Sequence, residues 1–136
     1  MVPFARNLCL GLGVISTIAS AHAQHMNSPL APCRQVGNTV DTDNCFAAAL
    51  KDADVRLNQL YSKILSVLEP PDQQKLRAAQ RIWLQYRDAT CNAERDLYGD
   101  GTGSYPAYLA CREEETRLRA NDLQTTYGWV IEKASN

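Results

Sequence analysis

Residues 46–68 read FAAALKDADVRLNQLYSKILSVL. Apolar side chains fall at Phe46, Leu50, Ala53, Leu57, Leu60, Ile64 and Val67, in steps of four and three that stack them along one side of a helix. Tyr61 and Leu68 widen the stripe. Thr42 or Asp43 supplies an oxygen able to accept from the first free amides, and Pro70-Pro71 ends the helix at about Glu69. Pro71 then suits the first turn of a second helix, where its missing N–H would have been unpaired anyway.

Outward from this stretch, Leu76, Ala79, Trp83, Tyr86, Thr90, Ala93 and Leu97 repeat the three-four spacing. Gly99, Gly101 and Gly103 break that run, and Ser104 with Pro106 opens a third helix carrying Tyr108, Cys111, Ala120, Leu123, Tyr127 and Val130. Thr116 and Arg119 interrupt its apolar face, so the third stripe is the weakest. Alternating stretches are short and β-branched residues scattered, which argues against strands. The expectation is an all-α domain, a small disulfide-stapled antiparallel three-helix bundle over residues 42–136. An extended N-terminal arm over residues 24–41, with Pro29, Pro32, Gly37 and Asn38, precedes it. The near part of that arm is expected to be mobile. No internal repeat is apparent.

Residues 1–23 have a different character. Arg6 is followed by an uncharged apolar run of about 12 residues, short of the roughly 20 that span a bilayer, and then by Ala21-His22-Ala23. That order is a secretory signal peptide with cleavage after Ala23. A retained anchor is the alternative. Cys9 does not suit lipidation, because Arg6-Asn7-Leu8 lacks the small residues expected beside a lipidated cysteine. Losing Arg6 from the 14 basic side chains leaves 13 against 15 acidic, and losing Cys9 from five cysteines leaves Cys33, Cys45, Cys91 and Cys111. An even number in an exported chain implies two disulfides, and four cysteines allow three pairings. An up-down-up bundle gathers all four at one end, so proximity alone leaves every pairing open. Short closures favour Cys33 to Cys45 and Cys91 to Cys111.

Composition excludes several functions. Hydrophobic residues make up 45% of the chain and the formal charge is −1, which fits neither a disordered tail nor a nucleic-acid binder nor a polybasic membrane clamp. After processing, His25 is the single histidine, and no serine or cysteine has a base at recognisable spacing, so no enzyme is expected. Glu113-Glu114-Glu115 is most simply a solvated helix face. No Cys-x-x-Cys pair offers a metal site. Aligning residues 96–107 to a calcium loop puts Tyr98 and Ala107 at ligand positions, and the glycines at 99, 101 and 103 follow a helix rather than the strand of a dinucleotide loop. No metal and no cofactor are implied. A connector needing positive backbone dihedrals explains the glycines better.

The runs Ala53-Asp54-Val55-Arg56-Leu57-Asn58-Gln59-Leu60-Tyr61 and Ala79-Gln80-Arg81-Ile82-Trp83-Leu84-Gln85-Tyr86-Arg87-Asp88-Ala89-Thr90-Cys91 resemble the LprI-type lysozyme-inhibitor domain. Gly103-Ser104, Tyr108, Cys111, Thr116 and residues 117–123 extend the resemblance, which covers about residues 41–123. It implies a small exported helical protein that inhibits host-type, c-type lysozyme by cleft occlusion. The alternative is a periplasmic or secreted module of the cell envelope that binds another protein or a ligand without inhibiting lysozyme. Lysozyme, or another envelope or host protein, is the implied partner, with no nucleic acid and no membrane anchor after cleavage.

Two groups of residues are candidates for binding. Asp54 and Asn58 share a helix face, as do Trp83 and Arg87, and the Arg87 fork suits a carboxylate such as Asp54, Asp88 or Glu115. Arg119 could do the same from the third helix. The loop at residues 99–105 offers Asp100, Ser104 and Tyr105, on a base that a Cys91 to Cys111 bridge would hold. A mildly acidic chain also has the right sign for a basic lysozyme.

Overall fold

Asn38 sets where the first helix begins. Its side chain accepts from the Asp41 amide at 2.9 Å, and α1 runs Thr39–Val67. Thr42 and Asp43 therefore lie inside the first turns and do not cap them, the Thr42 hydroxyl donating instead to the Asn38 carbonyl at 2.7 Å. Leu68 and Glu69 make the tight connection to α2, Pro70–Asp96, so the second helix opens on Pro70. Helix α3, Ser104–Ala134, follows the turn at residues 97–103. This computed structural model describes residues 24–136. The expected signal peptide, residues 1–23, lies outside the described residues.

The described residues form a disulfide-stapled all-α bundle of three helices. Helix α3 packs against both other helices, most extensively against α1. Leu57 and Ile64 of α1, Leu76 of α2 and Ala120, Leu123 and Ile131 of α3 make one buried cluster. Ile64 is 0% exposed, and trimming such a side chain to alanine costs about 2–5 kcal/mol. The α1 stripe faces inward as its spacing predicts. Helix α3 shows a weak stripe because it is covered from two sides, burying Leu109, Ala110, Glu113, Thr116 and Ile131 beside Cys111, Ala120 and Leu123.

A second cluster closes the other end of the bundle. Cys33, Phe46, Leu109 and Ala110 are buried there, with Met26, Ala31 and Val36 packed over them. The segment before α1 passes through a 3-10 turn, His25–Asn27, that contacts α3. Disulfides join Cys33 to Cys45 and Cys91 to Cys111, with Cα separations of 6.0 and 5.4 Å. The first ties this segment to α1, and the second ties α2 to α3. No helix among the described residues is long and apolar enough to cross a membrane.

Candidate functional site

Helix α2 departs from its apolar pattern. Ala79, Tyr86, Ala93 and Leu97 are exposed, while Leu76, Gln80, Arg87, Cys91 and Glu94 are buried. Positions 80, 87 and 94 recur every two turns, so one inward line carries an amide, a guanidinium and a carboxylate. Buried polar groups need partners, and each of these finds one on another element. Gln80 Oε1 accepts from Arg119 Nε at 3.0 Å. Arg87 Nη1 donates to Thr116 Oγ1 at 3.1 Å and lies 3.5 Å from Asp54 Oδ1. Glu94 Oε1 accepts from the His25 backbone amide at 3.0 Å, and its Oε2 pairs with His25 Nδ1.

This line corrects several expectations. Arg87 meets Asp54 and Asp88, the latter at 3.3 Å, but its third contact is the Thr116 hydroxyl and not Glu115. Arg119 takes the Gln80 amide and lies 3.9 Å from Asp122 Oδ2. Thr116, an interruption in the apolar pattern of α3, is the acceptor the buried guanidinium requires. The Trp83 ring carries both guanidiniums, Arg87 at 5.0 Å and Arg119 at 5.9 Å from its centroid, a cation–π arrangement that fixes the indole between helices. Glu94 and its partner His25 were invisible as a pair, being 69 residues apart; only the seven-residue spacing of polar residues in α2 hints at them.

Beside Arg87, α1 and α2 stand apart and leave a groove of about 480 Å³. Asp54, Asn58 and Tyr61 line it from α1, and Arg77, Arg81, Trp83 and Arg87 from α2. The structure thus brings together three of the expected binding residues, Asp54, Asn58 and Arg87. Asp100, Ser104 and Tyr105 lie elsewhere, beyond the end of α2, which is about 14 Å along the helix from Arg87 at 1.5 Å per residue.

That second place is a closed turn. Gly101 N donates to the Tyr98 carbonyl at 3.0 Å, and Ser104 N to the Gly101 carbonyl at 3.0 Å. Gly99 has φ +52°, a left-handed conformation that favours glycine. Gly103 serves differently, since a Cβ there would sit 2.7 Å from Tyr98 Cδ1. Tyr98 thus folds under the turn, and burial, with the Glu94 carboxylate beside it, pushes its phenol above the ordinary value. Outward the turn presents Leu97 at 81% exposure, Asp100, and Tyr105 at 54%. Ser104 is half-buried at the start of α3. The Cys91–Cys111 disulfide spans the two helices that carry the turn.

Two features also differ from the reading of the glutamates as a solvated face and of residues 24–41 as an extended arm. Glu113 is buried, accepts from Arg117 Nε at 3.1 Å, and has its carboxyl pushed up, mainly by burial, against the opposing pull of Arg117. His25, Glu94 and Cys111 place ligand-type atoms within 4.8 Å of one another. The Cys111 sulfur is bonded to Cys91, so it offers no thiolate to an ion.

Residues 32–123 match the model of the family described as lysozyme inhibitor LprI. The chain is 26% identical over 131 residues to the uncharacterized protein R02472 of Rhizobium meliloti (strain 1021), covering 87% of this chain and 89% of that protein. It is 28% identical over 142 residues to the uncharacterized protein YecT of Escherichia coli (strain K12), covering 86% and 88%. No solved structure matches it.

Proposed function

Because the chain belongs to the lysozyme inhibitor LprI family, we propose that it is an exported protein that binds host-type, c-type lysozyme and occludes the cleft holding the polysaccharide. Two disulfides support export, since such bonds persist in oxidising compartments, the periplasm or the cell exterior. The observation that carries the binding surface is the turn at residues 97–103 together with Tyr105 in the first turn of α3. Leu97, Asp100 and Tyr105 stand out from it, and the turn itself is closed by backbone hydrogen bonds. A contact ordered before binding loses less entropy on docking. Asp100 adds an acidic group of the sign a basic enzyme attracts, and Tyr105 an aromatic anchor of the kind that dominates interfaces.

The test is titration of the purified oxidised chain into lysozyme acting on bacterial cell walls. Lytic rate should fall to a plateau as inhibitor is added, and Asp100→Ala with Tyr105→Ala should weaken inhibition by about tenfold or more. Lysis that continues unchanged at a roughly micromolar excess, a concentration matching about −8 kcal/mol of binding, would overturn the proposal.

A further inference from the structure

The groove between α1 and α2 has a charge opposite to the chain's own. Arg77, Arg81 and Arg87 line it against one carboxylate, Asp54, although the whole sequence has 14 basic and 15 acidic side chains. Arg77 and Arg81 make no salt bridge among the described residues. Arg87 is only 5% exposed; its Nε is committed to Asp88, and its Nη1 to Thr116 with Asp54 Oδ1 at 3.5 Å. Its Nη2 has no hydrogen-bond partner among the described residues. A guanidinium carries five N–H donors in a rigid fork, and those left over at this depth match a planar oxyacid.

The rest of the lining selects more than charge. Tyr61 and Trp83 bring aromatic surface, and Asn58 an amide able both to donate and to accept. A volume of about 480 Å³ is within the range of small-molecule sites. We propose that this groove binds a carboxylate-bearing saccharide of one or two rings. Its carboxylate is met by Arg87 with Arg77 and Arg81, its ring by Tyr61 and Trp83, and its hydroxyl or acetamido groups by Asn58. The site is separate from the turn at residues 97–103 and from Tyr105, so it stands whether or not the chain inhibits lysozyme.

Trp83 reports on the groove once the second tryptophan is silenced by Trp129→Phe. In that background the purified chain is titrated with N-acetylmuramic acid, with N-acetylglucosamine, which has the same ring without the carboxylate, and with N-acetyl-alanyl-alanine, which has a carboxylate without the ring. Saturable fluorescence change is expected for the first at ~1 mM or below, and at least about tenfold weaker binding for the other two. Arg81→Ala and Arg77→Ala, both at exposed positions that spare the core, should each weaken the first ligand by several fold, with an unchanged unfolding midpoint. No saturable response, equal binding of the neutral sugar, preference for the dipeptide, or indifference to both arginine variants would each overturn the proposal.

Discussion

Arg87 of α2 and Thr116 of α3 are both buried, and Nη1 of the first donates to Oγ1 of the second at 3.1 Å. Removing the acceptor without changing shape isolates its value. Thr116→Val leaves a buried N–H with Asp54 at 3.5 Å as its remaining oxygen, and an orphaned donor costs about 1–3 kcal/mol. Urea unfolding should show that loss. Adding Arg87→Met removes the orphan, so the double variant should lose less than the two single losses together. Strictly additive losses would mean that the two side chains are not coupled.

The two disulfides should be separable by what they hold. Each closes a short loop, with sequence separations of 12 and 20, and replacing either pair by serine should cost about 3 kcal/mol in the chain-entropy view. Cys91→Ser with Cys111→Ser should also expose residues 97–103 to limited proteolysis. The Cys33 and Cys45 replacement should instead free the segment ahead of α1. Identical cleavage maps for both variants would count against a specific brace beneath the turn.

How far the sequence could be read follows from what each helix touches. Helix α1 faces a largely apolar partner, so Leu57, Leu60 and Ile64 reveal its inner side directly. Helix α2 inverts that signal. Tyr86 and Leu97 look like core and are exposed, while Gln80, Arg87 and Glu94 look like surface and are buried. Their burial depends on Arg119, Thr116 and His25, partners on other elements that no local pattern can supply. The candidate site shows the same divide. Asp54 and Asn58 could be placed on one face from spacing alone, but the groove exists because α1 and α2 stand apart, a property of how both lean on α3.

The glycines of the turn have distinct jobs, and alanine scanning should separate them. At Gly103 an added Cβ meets the Tyr98 ring at 2.7 Å, and overpacking of that kind costs about 1–3 kcal/mol. Gly99→Ala is strained by φ +52° and should cost about 1 kcal/mol with no clash. Gly37, with nothing within 4 Å of its Cβ direction, is the control and should stay within about 0.5 kcal/mol of wild type. Thermal melts rank the three, and a Gly37→Ala loss as large as that of Gly103→Ala would refute the steric account.

Glu113 gives the chain a pH dependence of unusual sign. Burial is the main cause raising its carboxyl above the ordinary value of 4.5, Arg117 pulls it back down, and the nearby Glu114 raises it further. A carboxyl with a higher pKa folded than unfolded binds more protons in the native state, so this group's contribution falls as pH rises through that window. At neutral pH the ionised form is the one the fold disfavours. As pH falls through the folded pKa the cost is relieved, and below the unfolded value of 4.5 no further change arises from this residue. Glu113→Gln keeps an acceptor for the Arg117 Nε, which now lies 3.1 Å from the carboxylate, and removes the titration. The variant should therefore melt at a higher temperature than wild type at pH 7, with the advantage shrinking as pH drops toward 4.5. A destabilised variant at pH 7 whose deficit narrows on acidification would show that the Arg117 ion pair, and not burial, governs this carboxyl.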